Sequence, residues 1–332
     1  MIEEKKVVVL MATYNGEKYI REQLDSILNQ TYHNLLLIIR DDGSTDTTLE
    51  ILEKYEKENT RVTVIKNQSD KHGAYINFWN LLHYAKENTD ADYYFLSDQD
   101  DIWKLDKIKD SVIELQKNQT SMPLLLYSDM EVIGEKGEII YPSYNHIIHI
   151  SHMKPQATFF TRDIFWGCTM AFNNKLLMEI PLFSAEDSRA RIMSHDTYLA
   201  EYAALFGKVI FLDCTTIGHR KHSGNVTGES ALKYGGITII NKIFESGIRD
   251  KAKKHARTYA QSIIALDLFE SNNFSNEESI SIKKAIKKGG VIGCKSLHKY
   301  KIKKANLSRT ILTYLIMLTG AYKKHMAFWI NI

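Results

Sequence analysis

Residues 93–108 read YYFLSDQDDIWKLDKI, an apolar run that meets three carboxylates, Asp98, Asp100 and Asp101, before an amphipathic stretch begins. Four apolar residues, a polar turn and a helical period make one βα unit. The same unit recurs on the N-terminal side. KKVVVLMATYN is a strand entering a turn, and EKYIREQLDSILNQ then places Tyr19, Ile20, Leu24, Ile27 and Leu28 at helical spacing. LLLIIRDDGSTD is a second strand, followed by TTLEILEKYEKE with Leu49, Leu52 and Tyr55 on one face. RVTVIKN and AYINFWNLLHYAKE form a third pair, IWKLDKIKDSVIELQKN is a fourth helix, and PLLLYSDMEVI is a fifth strand. Strands alternating with helices predict an α/β fold with an open sheet flanked by helices.

Three of these strands end in TYN, DDGSTD and SDQDD, which places their polar residues on one edge of the sheet. Ligands of open α/β sheets bind outside the carboxyl ends of the strands, so a site is expected there. Ser44, Thr45 and Asp46 read as turn and N-cap chemistry. Asp98, Asp100 and Asp101 do not, because three crowded carboxylates repel one another unless a cation sits among them. An Asp-x-Asp at a strand end suits Mg²⁺ or Mn²⁺, which complete their shells with water and phosphate oxygens. No Walker or GxGxxG loop is present to cradle phosphates, so the metal is expected to carry that task.

The chain has 332 residues, 44% hydrophobic and 25% charged, enough for one large core or two modest domains. Its net charge of +3 hides an asymmetry. Residues 231–332 hold 19 Lys or Arg against 6 Asp or Glu, about +13, which leaves about −10 for residues 1–230. The three cysteines, Cys168, Cys214 and Cys294, are few and widely spaced, as reduced core thiols would be. MIEEKKVVVL lacks the long apolar region and cleavage site of a secretory signal, and no stretch reaches the roughly 20 apolar residues of a membrane span. A cytoplasmic protein is expected.

The ordered set VVLMATYNGEKYIREQLDSILNQTY, DDGSTDTT, FLSDQDDIW, GCTMAF, SHDTYLA and HRKHSGNVTG resembles that of family 2 glycosyltransferases, and within them the rhamnosyltransferase-like branch that builds bacterial surface polysaccharides. The resemblance covers residues 5–228; the tail after 230 resembles no family. It implies a GT-A (Rossmann-like) open mixed sheet in a catalytic domain over 1–230, and the composition of the tail predicts a mainly helical, basic second region over 231–332. The resemblance implies that Thr13, Tyr14 and Asn15 border the nucleotide base, Tyr14 stacking on it, and that Asp42 accepts the imide N–H of uracil or thymine while Asp41 anchors the loop. Asp98 is then placed near ribose and metal, Asp100 as a firmer metal ligand, and Asp101 as the cap of the following helix. Asp196 matches the catalytic base, with His195 where the family more often has Glu; acceptor contact, orientation of Asp196 and no role all stand open for His195. Trp166 and Gly167 fall beside the acceptor, Trp166 either facing a sugar or filling core. Lys71 and Arg220 are expected at the donor diphosphate, and His222 at the metal or the diphosphate.

The implied reaction is inverting, metal-dependent transfer of a sugar, L-rhamnose from dTDP-β-L-rhamnose, to a hydroxyl of a lipid-linked polysaccharide acceptor. The same mechanism with a UDP-hexose donor, or a non-catalytic nucleotide-sugar-binding protein, are the alternatives. The tail mixes Lys and Arg with aliphatic and aromatic residues through Phe328, Trp329 and Ile330. That pattern fits either attachment to the inner face of the cell membrane as a peripheral protein, or packing on the catalytic domain or a second subunit. Nucleic acid is not expected as a partner, since the acidic site-bearing part has no continuous basic track with stacking residues.

Overall fold

The computed structural model describes residues 4–222 and 239–330. Nine strands form one mixed sheet: β1 (Val7–Thr13), β2 (Leu35–Asp41), β3 (Val62–Lys66), β4 (Tyr93–Ser97), β5 (Ile102–Trp103), β6 (Leu124–Ile133), β7 (Ile139–Tyr141), β8 (Met170–Asn173) and β9 (Lys208–Arg220). Their order is β3-β2-β1-β4-β8-β6-β9-β5, with β7 paired to β6. β3, β2, β1 and β4 run parallel, and β8 is antiparallel to both β4 and β6.

The parallel strands are covered on both faces, so they carry near-continuous apolar runs rather than alternation. Val7 to Met11 and Tyr94 to Leu96 are fully buried. The helices after these strands are α1 (Ile20–Leu28), α2 (Thr48–Glu58), α3 (Ala74–Asn88) and α4 (Lys107–Lys117). α1 buries Ile20, Leu24 and Ile27, spaced to form one stripe. β1, β2 and β4 are parallel neighbours, so the three polar endings do share one edge. One expected element differs: Ile102 and Trp103 pair with β9 as a short strand, and the fourth helix begins only at Lys107. The partner strand lies more than a hundred residues away, which local periodicity cannot register.

The remaining helices are α5 (Asn145–Ile148), α6 (Asn174–Glu179), α7 (His195–Phe206), α8 (Ile239–Ser271), α9 (Glu277–Lys288), α10 (Gly290–Lys299), α11 (Leu307–Thr319) and α12 (Lys323–Ile330). Between α7 and β9 stands Gly207, where a Cβ would fall 2.2 Å from the Pro123 carbonyl oxygen. Only glycine lets the chain turn that close to the start of β6.

Contacts divide the chain into two compact units. One comprises the residues through Tyr144 and the segment from Phe165 to the end of β9; the other comprises Asn145–Ile164 and the C-terminal helices. The division expected at residue 230 lies outside the described residues, as does SGNVTG of the last motif. Within the helical unit the 145–164 segment is tightly held. Arg162 donates to the Thr258 carbonyl at 3.1 Å, Lys304 pairs with Asp163 at 2.6 Å, and Phe160 packs on Tyr259 and Tyr300. α9 opens with a reciprocal cap between Asn276 and Ser279.

Candidate active site

The end of β1 is wired to its neighbours on both sides. Thr13 donates its hydroxyl to Asp41 at 3.0 Å, and Asp41 also accepts the backbone N–H of Ser44 at 2.8 Å. Asp41 is thus the loop anchor. Asn15 takes a left-handed backbone, φ 46°, and its side-chain oxygen accepts the Thr45 N–H at 2.8 Å. Tyr14 exchanges two backbone bonds with the Gln99 side chain, 2.8 and 2.9 Å, while its ring stays 52% exposed at the sheet edge. Asp42 is buried and holds the next loop, accepting the Gly73 N–H at 2.7 Å and the Asn67 amide at 2.9 Å. Lys71, in that loop, pairs with Glu186 at 3.0 Å.

Beyond β4, Asp98, Gln99 and Asp100 are partly exposed and Asp101 is buried. Asp101 caps no helix; α4 starts six residues later, at Lys107. Its Oδ1 accepts His219 Nδ1 at 2.9 Å and the Arg220 backbone N–H at 3.1 Å. Burial alone would raise the Asp101 carboxyl, yet the His219 charge and hydrogen bond hold it below its usual range. Against the same burial, Asp101 lifts His219 to about 9. The pair therefore carries one negative and one positive charge at neutral pH. Cys168 approaches both, with ligand atoms within 4.8 Å of one another. Burial pushes its thiol well above the usual range.

The two partly exposed carboxylates behave differently. Burial and the charges of Asp101 and Asp100 push Asp98 well above the carboxylate range, and the Asp196 charge adds to this. Asp100 is raised by burial and by Asp101, and pulled back by His222, whose Nε2 lies 2.7 Å from its Oδ2. Asp100 Oδ2 thus lies against His222 Nε2, with Asp98 two residues away on the same loop, and carboxylate and imidazole are donors that suit a hard or borderline divalent cation.

Arg220, expected at a diphosphate, is turned into the protein. Its guanidinium is almost fully buried over the Tyr19 ring, donates to the carbonyls of Asp100 at 2.9 Å and Glu135 at 2.7 Å, and pairs with Glu22. Three chain segments far apart in sequence supply these acceptors, so the residue reads as a loose basic loop only when they are out of view. It braces the Asp98–Asp101 loop from below.

Asp196 lies in the first turn of α7. Its Oδ1 accepts the Thr197 N–H at 2.5 Å and the Ser194 hydroxyl, and its Oδ2 accepts the Gly167 N–H at 3.2 Å. Gly167 is a close fit: a Cβ there would sit 3.1 Å from His195 Nε2 and 3.5 Å from the Asp196 Cβ. Gly167→Ala is expected to shift Asp196, so any reaction that uses this carboxylate should slow by about tenfold or more in steady-state assays. Trp166 stands edge-on to Tyr144 at 5.5 Å and beside His219 at 5.7 Å, in the packing of this unit.

His195 faces inward, stacked on Phe78 with ring centroids 3.7 Å apart. Burial lowers it to about 4 from an ordinary 6.5, so the folded protein holds a neutral imidazole. The sign follows: the unfolded chain takes up a proton below pH 6.5 that the folded chain refuses until about pH 4, so stability falls on acidification through that window. The slope is up to about 1.4 kcal/mol per pH unit. Denaturant titrations at stepped pH are expected to show a shallower decline between pH 6 and 4 for His195→Gln than for wild type.

Sequence reasoning missed Gln99, His219 and Glu22, all of which act on the loop through partners distant in the chain. The run of three carboxylates was the one local signal, since the member not needed for a cation had to have a basic partner of its own.

The mixed sheet with this strand-edge site is the GT-A arrangement of glycosyltransferases, and the chain belongs to glycosyl transferase family 2, whose profile matches residues 8–180. It is 30% identical over 268 residues to the dTDP-rhamnosyl transferase RfbG of Shigella flexneri, spanning 79% of this chain and 87% of that one. It is also 38% identical over 130 residues to an uncharacterized glycosyltransferase of Haemophilus influenzae, 39% of this chain and 38% of that one. In fold it is similar to S. aureus TarS 1-349 in complex with UDP-GlcNAc, with a TM-score of 0.50 and 17% identity over 98% of this chain and 92% of that one. The mannosyltransferase PcManGT of Pyrobaculum calidifontis, in complex with GDP-Man and Mn²⁺, gives a TM-score of 0.50 and 16% identity over 99% and 85% of the two chains.

Proposed function

We propose that the protein is an inverting, metal-dependent glycosyltransferase that moves L-rhamnose from dTDP-β-L-rhamnose to a hydroxyl of a lipid-linked polysaccharide acceptor, with residues 1–230 housing the chemistry. The observation that carries the reading is that Gly167 bonds Asp196 Oδ2 at 3.2 Å and lies against Leu96 of β4, the strand that runs into Asp98 and Asp100. The name of the Shigella relative supports the choice of donor.

Tyr14, exposed at the strand end, offers its ring to the base, a contact worth roughly 1–3 kcal/mol. Thr13 and Asn15 hold the turn that presents it. The Asp42 oxygen that takes the Gly73 N–H keeps a second lone-pair site, and the imide N–H of thymine or uracil fills it. Lys71 exchanges Glu186 for a phosphate oxygen, and Arg220 acts one step back, by fixing the Asp100 backbone. Asp98, Asp100 and His222 would hold a divalent cation, which would supply charge stabilisation to the departing diphosphate. The Asp196 carboxylate takes the acceptor hydroxyl proton while that oxygen bonds the anomeric carbon, and the carbon–oxygen bond to the nucleoside diphosphate breaks. Attack opposite the leaving group converts a β-L donor into an α-L linkage. Trp166, Gly167 and His195 shape the acceptor side, Gly167 by orienting the base.

The test is release of nucleoside diphosphate from a panel of dTDP- and UDP-sugars with Mn²⁺, Mg²⁺ or EDTA. Turnover of dTDP-β-L-rhamnose, lost in EDTA, is expected. Preference for a UDP-hexose would overturn the donor, and indifference to EDTA the metal; no turnover of any donor, with acceptor lipids supplied, would leave a binding protein.

A further inference from the structure

The helical unit carries an apolar ridge that the described residues leave open. On α11, Leu312, Thr313, Ile316 and Met317 face the unit's interior, while Leu307, Ile311, Leu315 and Leu318 line the opposite face. The latter four recur at helical spacing, and each is between 47% and 74% exposed. Val291 of α10, 62% exposed, extends the ridge across to a second helix. An exposed stripe of this length marks an interaction surface.

The charge around it names the partner. From Ser279 to the C-terminus the sequence has 12 Lys or Arg and no Asp or Glu. Lys295 is four residues from Val291 on the same helix face, and Lys303 precedes α11. Both are exposed, and neither has a carboxylate partner among the described residues. We infer that this face, the α10–α11 ridge with its lysines, docks on an anionic lipid bilayer, the helices lying in the interface with their apolar side among the acyl chains. A second copy of the chain fits poorly, because a two-fold interface would set the same lysines against one another. The inference deepens the reading that the acceptor is lipid-linked, and it explains how the enzyme meets that acceptor with no described helix long and apolar enough to cross a membrane.

The test is co-sedimentation of the full chain with vesicles of phosphatidylcholine alone, or with about a third phosphatidylglycerol, at low and high salt. Strong binding to the anionic vesicles is expected, weakened by salt, and reduced about tenfold or more in Ile311→Glu/Leu315→Glu and in Lys295→Glu/Lys303→Glu. Both variants change exposed residues, so melting and donor hydrolysis should match wild type. No binding, or binding unchanged in both variants, overturns the inference. So does a wild-type dimer in sedimentation equilibrium that Ile311→Glu/Leu315→Glu dissociates. Vesicle binding by a protein that turns over no donor would sink the transferase reading and leave this surface standing.

Discussion

Asp196→Asn is expected to cut turnover by about 10²–10⁴-fold, the range that a positioned general base supplies. The substitution removes the proton acceptor and little else. An Asn oxygen still accepts the Thr197 N–H and the Ser194 hydroxyl, the two bonds that hold Oδ1 at the start of α7. The loss falls on Oδ2, whose one described contact is the 3.2 Å bond from Gly167, where an amide N–H would now oppose an N–H. That mismatch costs on the order of 1 kcal/mol of stability. Steady-state kinetics should therefore show the fall in kcat with donor KM nearly constant and a melting temperature within a few degrees of wild type. A kcat within a few-fold of wild type would remove Asp196 from the base's role.

Asp100→Ala is expected to lower kcat/KM by about 10²–10³-fold, the loss that follows when several kcal/mol of charge stabilisation disappears from a leaving group. Stability should move the other way or not at all. The Asp100 carbonyl remains in place for Arg220, so the loop keeps its brace. The missing carboxylate relieves Asp98 of one of the charges that crowd it. Thermal melts with and without Mn²⁺ separate this from simple unfolding. A ligand that binds only the folded chain raises its melting point, so wild type should gain from Mn²⁺ and Asp100→Ala should not. An equal gain in both would place the ion elsewhere.

Much of this was legible in the sequence because it is local. The βα units follow from apolar period, and the shared edge follows from parallel neighbours β2, β1 and β4. Asp98 and Asp100 could be singled out because crowded carboxylates at a strand end carry their own signal, and Asp196 because SHDTYLA resembles a family motif. What escaped depends on pairing across the chain. Asp101 looks like a helix cap until His219, 118 residues on, is seen at its oxygen. Arg220 looks like a phosphate ligand until Glu22 and the carbonyls of Asp100 and Glu135 are found around it. His195 leaves acceptor contact, orientation of Asp196 and no role all open until Phe78 is found stacked against it.

The segment from Asn145 to Ile164 leaves the sheet-bearing unit, is gripped by the C-terminal helices, and returns directly into Phe165, Trp166 and Gly167. The catalytic unit is therefore not a cassette. A chain ended at residue 230 would retain every recognisable motif, yet strip Phe160 of Tyr259 and Tyr300, and Asp163 of Lys304. The backbone that meets Asp196 through Gly167 would then hang from an unanchored thread. Grafting a new C-terminal region onto this enzyme, or borrowing its catalytic half for another, requires exchanging the inserted twenty residues along with the helices.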